Sequence, residues 1–470
     1  MIDEKTRKIS NYSNKKATAY SFGQISLVIA YQSFTFLIFT FYFTIVGLNV
    51  ILITIGFIIW SLWNSFNDPM MGHISDRTHT KWGRRRPFIM IALGPLAIIM
   101  VLLFTPPIAF GISDQLINFV YFVLIMMLFD LFYTMYDINL TSLFPELFIT
   151  MEERTKANNI RQTFGIIALI VAFILPTLFI PDLSNKKYLQ QYQLFGIITM
   201  IIIIIIGLIF LKFSPREKLE FKEDYKNAPS FIEGLKLAGK NKSFMWYIIV
   251  VVTLNCVNLM LPTLVPLYGK FVLGIGEGES FYLAIMLGLF FISAAISMNI
   301  FWKPVVQKLG IRKSWFIAIS LWIIFLSPIL IIDTILAGMI VFFLAGIGFA
   351  GCYYLLDLAI CDVIDEDEVN TGTRKEATYY GVYILSIRLA AILVFLSISI
   401  VFTNVGWTVY EPEKVTPQVI FGLRALMFIF PAIVLLIGMI AVYKNPLHGE
   451  RLKEVKEKLQ KLHEEKRAKV

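Results

Sequence analysis

The chain has 470 residues, 57% hydrophobic and only 16% charged, with a formal net charge of +9. Soluble globular chains carry roughly 25% charged residues, so this composition excludes an ordinary soluble enzyme. Three cysteines (Cys256, Cys352, Cys361) and four scattered histidines make no CxxC, HExxH or other metal-ligand spacing, so no cofactor or structural metal is expected.

Residues 1–18 are mostly polar and basic, with no short apolar segment of the signal-peptide kind behind them, and read as a cytoplasmic tail. Apolar windows follow near 19–46, 50–72, 87–110, 115–141, 160–184 and 192–214. About 20 apolar residues match the hydrocarbon thickness, and a backbone in lipid must close its own hydrogen bonds as helix. A polar linker, 215–242, contains Ser230 with Glu233 three residues on, a capping-box spacing that predicts a short cytoplasmic helix. Six more windows follow near 243–270, 278–302, 313–332, 334–361, 378–402 and 420–443, the split at Asp333 being weakly marked. The expected fold is an all-α membrane protein of twelve spans in two six-helix halves, 19–214 and 243–443. In the charged tail, 444–470, Leu452, Val455, Leu459 and Leu462 recur at helical spacing. That pattern predicts an amphipathic helix in water or resting on the bundle.

The loops divide by charge. Lys5, Arg7, Lys8, Lys15 and Lys16 in the tail, Arg77, Lys81 and Arg84–Arg86 after the second span, and Lys303, Lys308, Arg312 and Lys313 after the eighth lie on one side. Arg374 and Lys375, after the tenth, join them. The opposite side holds only Lys186, Lys187, Lys270 and Lys414. Basic loops stay inside, so both termini are expected in the cytoplasm, and the positive charge marks topology rather than nucleic acid. The loops Gly72–Pro87 and Lys303–Lys313 are both short, basic and glycine-containing, and occupy the same place in each half. Repeated halves around a central site suit alternating access.

Ionisable and amide groups inside spans are costly and point to function. Asn64 and Asp68 are four apart on one face of the second span, with Asn67 adjacent; the fourth span holds Asp130, Tyr133, Thr134 and Asp137. Oxygen ligands on two helices suit Na⁺, while a buried carboxylate could instead carry H⁺. Arg161 and Arg388, in the fifth and eleventh spans, could face these acids and bind solute oxygens. Asp76, Arg77, Arg84, Arg85 and Arg86 are candidates for a cytoplasmic gate, and Asp362–Glu368 could supply acidic partners from the other half. Asn255 and Asn258 are candidates for a cavity wall or for interhelical hydrogen bonds.

The stretch Asn67-Asp-Pro-Met-Met-Gly-His-Ile-Ser-Asp-Arg-Thr-His-Thr-Lys-Trp-Gly-Arg-Arg-Arg-Pro-Phe88 resembles the glycoside–pentoside–hexuronide:cation symporter family, within the major facilitator superfamily. Asp362-Val-Ile-Asp-Glu-Asp-Glu368 with Thr371–Glu376, and the Ser230–Lys242 segment, are similar to the same family. The resemblance implies symport of a sugar or glycoside-like solute with H⁺ or Na⁺ across the cell membrane, by a monomer and without enzymatic chemistry. It places Asn67, Asp68 and Thr134 at cation-site positions, and Asp137, Arg161 and Arg388 at substrate positions; Asp130 and Tyr133 are grouped with the substrate set. Melibiose permease-like members have carboxylates where this chain has Asn64 and Val28, and a Trp at Thr141. Those departures argue against a galactoside and favour H⁺ coupling. A lysolipid or other amphiphile carrier is the alternative, and a polytopic enzyme a remote one.

Overall fold

The computed structural model describes residues 14–78, 80, 82–148, 151–214, 239–372 and 376–468. Among them every long element is a helix. In chain order these are α1 (Asn14–Thr40, running on through a wide turn at Phe41–Ile45), α2 (Val50–Arg77), α3 (Arg86–Leu103), α4 (Gln115–Leu147), α5 (Met151–Phe179) and α6 (Leu189–Phe213). The second set is α7 (Lys242–Phe271), α8 (Phe281–Ser297), α9 (Lys303–Leu326), α10 (Ile335–Thr371), α11 (Glu376–Asn404) and α12 (Pro417–Lys444), followed by α13 (Gly449–Ala468). Lys5, Arg7, Lys8 and the Ser230–Glu233 cap lie outside the described residues, as do Arg374 and Lys375.

Helix starts are written locally. Asn49, Asp114, Asn241, Thr334 and Thr416 each turn a side-chain oxygen back to a first-turn N–H, satisfying a donor the helix itself leaves open. The Thr334 cap makes the division at Asp333 real. The helical run that does not visibly break lies elsewhere: Phe281–Leu330 is continuous over 50 residues. It contains two crossings, separated at Gly310, whose φ of 75° and ψ of 170° no helix accommodates. Several helices outrun their apolar windows. α10 continues from the apolar region through Asp362–Glu368 to Thr371, where Gly372 (φ 72°) caps it with its N–H on the Glu368 carbonyl. Hydropathy marks only the part in lipid, and a helix has no reason to stop at the interface.

The helices cluster into two compact units, one taking the chain to Ala228 with Glu277–Ala284, the other Pro229–Gly276 with Ile285 onward. Their internal pairings repeat. In the first unit α1 packs on α5 and α6, and α3 on α4 and α6; in the second α7 packs on α11 and α12, and α9 on α10 and α12. Close approach is bought with glycine in both. A Cβ on Gly196 would stand 2.8 Å from the Met100 carbonyl oxygen (α3 against α6), and one on Gly348 2.6 Å from the Trp322 backbone (α9 against α10). Cores are aromatic and aliphatic, with Tyr20, Tyr42, Tyr136 and Tyr192 buried in the first unit and Trp302, Trp322 and Tyr247 in the second.

Candidate functional site

In the first unit α2 and α4 lie side by side, and each presents polar groups to the other. Asn64 donates through Nδ2 to Asp130 Oδ1. Asn67 Nδ2 donates to Asp130 Oδ2 at 3.0 Å and to its backbone carbonyl at 3.2 Å. All three side chains are within 2% of full burial. One turn further along, Thr134 Oγ donates to Asp68 Oδ1 at 2.8 Å. Among the described residues, Asn64 Oδ1 and Asn67 Oδ1 are buried with no hydrogen-bond partner. Buried acceptors are seldom left unmet, and two amide oxygens beside two carboxylates and a hydroxyl are the donor set of a hard cation. Asp130 was expected with the substrate set; its carboxylate instead sits on the two asparagines of the cation set.

The residues grouped for substrate divide. Asp137, on α4, accepts from Thr141 Oγ at 3.4 Å. Arg161, on α5, lies 5.0 Å over the Phe144 ring, and its charge and that of Asp137 both act on the Tyr20 side chain. Tyr20 in turn donates to the Leu140 carbonyl at 2.8 Å and is wholly buried. Asp137, Arg161 and Tyr20 thus form a second polar group, joining α1, α4 and α5. Tyr133 belongs to a ladder of rings: Tyr31–Tyr133 at 5.1 Å, Tyr133–Phe129 at 5.7 Å and Phe129–Phe34 at 4.4 Å. Arg388 is half-buried on α11 of the second unit.

Two of the gate candidates have partners within their own unit. Arg85 Nη1 donates to Ser75 Oγ at 2.8 Å, and Arg86 donates to the Leu211 carbonyl and, at 3.3 Å, to that of Ser214, both at the end of α6. Arg84 is half-buried and Arg77 exposed; the Asp76 side chain lies outside the described residues. The Asp362–Glu368 cluster also finds partners within its unit. α13 docks on the end of α10 through Lys456 to Asp362 (2.6 Å) and Asp365 (2.7 Å), Arg451 to Glu366 (2.6 Å) and His463 to Glu368 (3.1 Å). Asp365, Glu366 and Glu368 are buried, so the run is not a solvated face. Asn255 makes an interhelical bond, its Oδ1 accepting from Tyr353 at 3.2 Å.

Two groups escaped sequence reasoning. Tyr20 hid among the many aromatic residues of α1 and carries no motif. Asp357, a carboxylate inside the apolar run of α10, lies near Tyr247 and Tyr383; its signal was the same one that marked Asp130. Among the described residues no cluster of His, Cys, Asp and Glu is arranged to hold a metal.

Membrane-length helices in two internally alike units, with oxygen-rich polar groups buried inside the spans, are the build of a secondary transporter. Residues 19–449 match the family described as MFS/sugar transport protein, and the chain belongs to that family. It is 23% identical to an uncharacterised symporter of Synechocystis sp., covering 94% of this chain and 96% of that one. It is 26% identical to the isoprimeverose transporter of Lactiplantibacillus pentosus over 31% of this chain and 30% of the relative. Among solved structures, the nucleoside transporter NupG aligns with a TM-score of 0.66 at 15% identity, covering 92% of this chain and 100% of that one. A bacterial homologue of the lysosomal transporter Spinster aligns at 0.63 and 13% identity, covering 96% of this chain and 98% of that one. The major facilitator fold and the symporter resemblance read from the sequence are borne out.

Proposed function

We propose that the protein couples the entry of a sugar-like solute to a cation bound between α2 and α4. The observation that carries this is the pair Asn64 and Asn67, both donating to Asp130 and both leaving an amide oxygen buried and unmet. The carboxylate missing at position 64 is supplied from α4 by Asp130, so the site keeps two acids, Asp68 and Asp130. Full negative charge and several neutral oxygens suit Na⁺. Proton coupling uses the same acids, with a protonated Asp130 donating to an amide oxygen in place of the ion. The solute is assigned to the Asp137–Arg161–Tyr20 group, where an acceptor, a fork of donors and a phenol face sugar hydroxyls, with the Tyr31–Tyr133 rings available for stacking. The relatives named for isoprimeverose and lactose favour a pentose- or hexose-containing glycoside.

Uptake into proteoliposomes, driven by an imposed Na⁺ or H⁺ gradient across a panel including isoprimeverose, lactose, free hexoses and a lysolipid, tests this reading. Gradient-driven accumulation of at least one saccharide is expected, and Asp130→Asn should abolish accumulation while retaining solute exchange. Lysolipid uptake with no saccharide uptake would sink the solute assignment; unchanged accumulation in Asp130→Asn would remove Asp130 from the coupling site.

A further inference from the structure

Within the second unit, at the end that bears the basic loops, a cavity of about 480 Å³ opens between α9, the ends of α10 and α12, and the turn into α13. Leu309, Phe316, Leu447 and Leu452 give it apolar walls, and Arg312 and Lys313 bring two positive charges to it. Both cations stand on the first turn of the helix that restarts after Gly310. Backbone N–H groups there lack acceptors within the helix, and the dipole favours an anion.

Arg312 is fixed, and among the described residues no acid pairs with it. Its Nη2 donates to the Tyr443 carbonyl at 2.6 Å, its Nη1 meets His448 Nε2 at 2.7 Å, and its guanidinium lies 5.3 Å over the Tyr443 ring. Its Nε–H is buried with no acceptor. One turn on, Trp315 is 3% exposed, lines the same cavity, and also has its indole N–H buried with no acceptor. The carboxylate on this wall, Asp362, is held by Lys456 at 2.6 Å. Burial and then the Arg312 charge push His448 below its ordinary value. Beside the charges of Arg312 and Lys313, two N–H groups one turn apart without acceptors suit a ligand rich in acceptors.

We propose that this cavity binds the phosphate headgroup of an anionic membrane lipid, with the glycerol and upper acyl region on the apolar walls. A free hydrated phosphate gains nothing from Leu309 or Phe316, whereas a phospholipid satisfies the cations and the walls together. Basic pockets between helices at the cytoplasmic interface take anionic headgroups for this reason. The site is separate from the α2–α4 groups and does not depend on which solute is carried.

The test is native mass spectrometry of the purified full-length protein in detergent, titrated with phosphatidylglycerol or phosphatidylcholine and challenged with inorganic phosphate. The first phosphatidylglycerol should bind roughly tenfold more tightly than phosphatidylcholine, the scale of one set of charge-assisted hydrogen bonds. Arg312→Gln should lose that preference. Trp315→Phe, which keeps the ring and removes the N–H, should weaken it at an unchanged melting temperature, and so should Lys313→Gln on the exposed side. Lys458→Gln, an exposed lysine of α13, should leave it intact. Should Arg312→Gln fail to fold, the other two variants decide. Equal binding of the two lipids, or a preference surviving in Trp315→Phe and Lys313→Gln, would overturn the proposal. Displacement of phosphatidylglycerol by millimolar inorganic phosphate would overturn the lipid assignment in favour of a soluble anion.

Discussion

In the proposed cation site, Asp130 supplies from α4 the carboxylate that α2 lacks at Asn64. With Asn64 at the α2 position, the acid stands across the helix interface, and its two oxygens take an amide N–H each. Adding the α2 acid back should therefore not improve Na⁺ binding. In Asn64→Asp two carboxyl groups would meet at hydrogen-bond distance and share one proton. Uptake by that variant should become dependent on a proton gradient and lose stimulation by Na⁺, which a matrix of external pH and Na⁺ concentrations measures directly. At the other polar group, Arg161→Gln should weaken solute binding by about tenfold or more, since Arg161 reaches Tyr20 beside Asp137 and charge-assisted bonds are the strong ones. Isothermal titration with whichever saccharide the proteoliposome panel identifies reads that loss. The sequence made these residues visible because acids and amides inside apolar runs stand out. It could not divide them. Asp130 and Asp137 are two turns apart on one helix face, and spacing along α4 says nothing about whether α2 or α5 lies opposite. Thr134 and Asp68 were legible as a pair through the family motif, whereas Tyr20 needed the fold to bring α1 against α4 and α5.

Among the elements, the repeat of packing is stricter than the repeat of sequence. Glycine works in both units, though not at counterpart pairs: α3 with α6 and α9 with α10 are each brought close by a glycine whose missing Cβ is filled by a neighbour's backbone. Gly348→Ala places a methyl 2.6 Å from the Trp322 backbone. Overpacking of that kind costs about 1–3 kcal/mol, so a drop in melting temperature is expected with the α2–α4 site untouched; an unchanged melting curve would show that α9 and α10 can separate freely. The docking of α13 was only half legible. Its stripe of Leu452, Val455, Leu459 and Leu462 was plain, and these are its less exposed positions, but no pattern in the chain reveals that its cations seek the acids of α10. Because Glu366 is buried, removing its partner should hurt more than removing its charge: Arg451→Ala should lower stability further than Glu366→Gln, as an unpaired buried carboxylate costs more than a neutral amide. Acid should loosen the same region through His448. Its depressed value means that its neutral form belongs to the folded state. That contribution is complete above the ordinary imidazole value near 6.5 and is lost as pH falls below it, through the folded-state value. The melting-temperature gap between wild type and His448→Gln should therefore change on acidification from pH 7.5 to 5, in the direction of a relatively less stable wild type.

For the whole molecule, the twelve crossings were legible from hydropathy, and the two-unit build from the recurrence of a basic, glycine-bearing loop. That loop does comparable work in each unit: Arg86 binds the carbonyls ending α6, and Arg312 the carbonyl of Tyr443 near the end of α12. A cation there complements the negative end of the helix dipole. The basic residues are thus structural as well as topological, which charge counting alone does not distinguish. The opposite face is nearly neutral. Lys187 pairs with Glu277 at 2.7 Å and Lys414 with Glu411 at 2.6 Å, so two of its few lysines are matched by acids. This asymmetry predicts an orientation that can be measured. With the cysteines replaced by serine or alanine, single cysteines at Ser113 and Asp333 should react with a membrane-impermeant maleimide in intact cells. Single cysteines at Lys308 and Lys453 should react only after the membrane is opened. The reverse pattern would invert the molecule, place the Arg312 cavity in the outer leaflet, and leave the basic loops explained by helix capping alone.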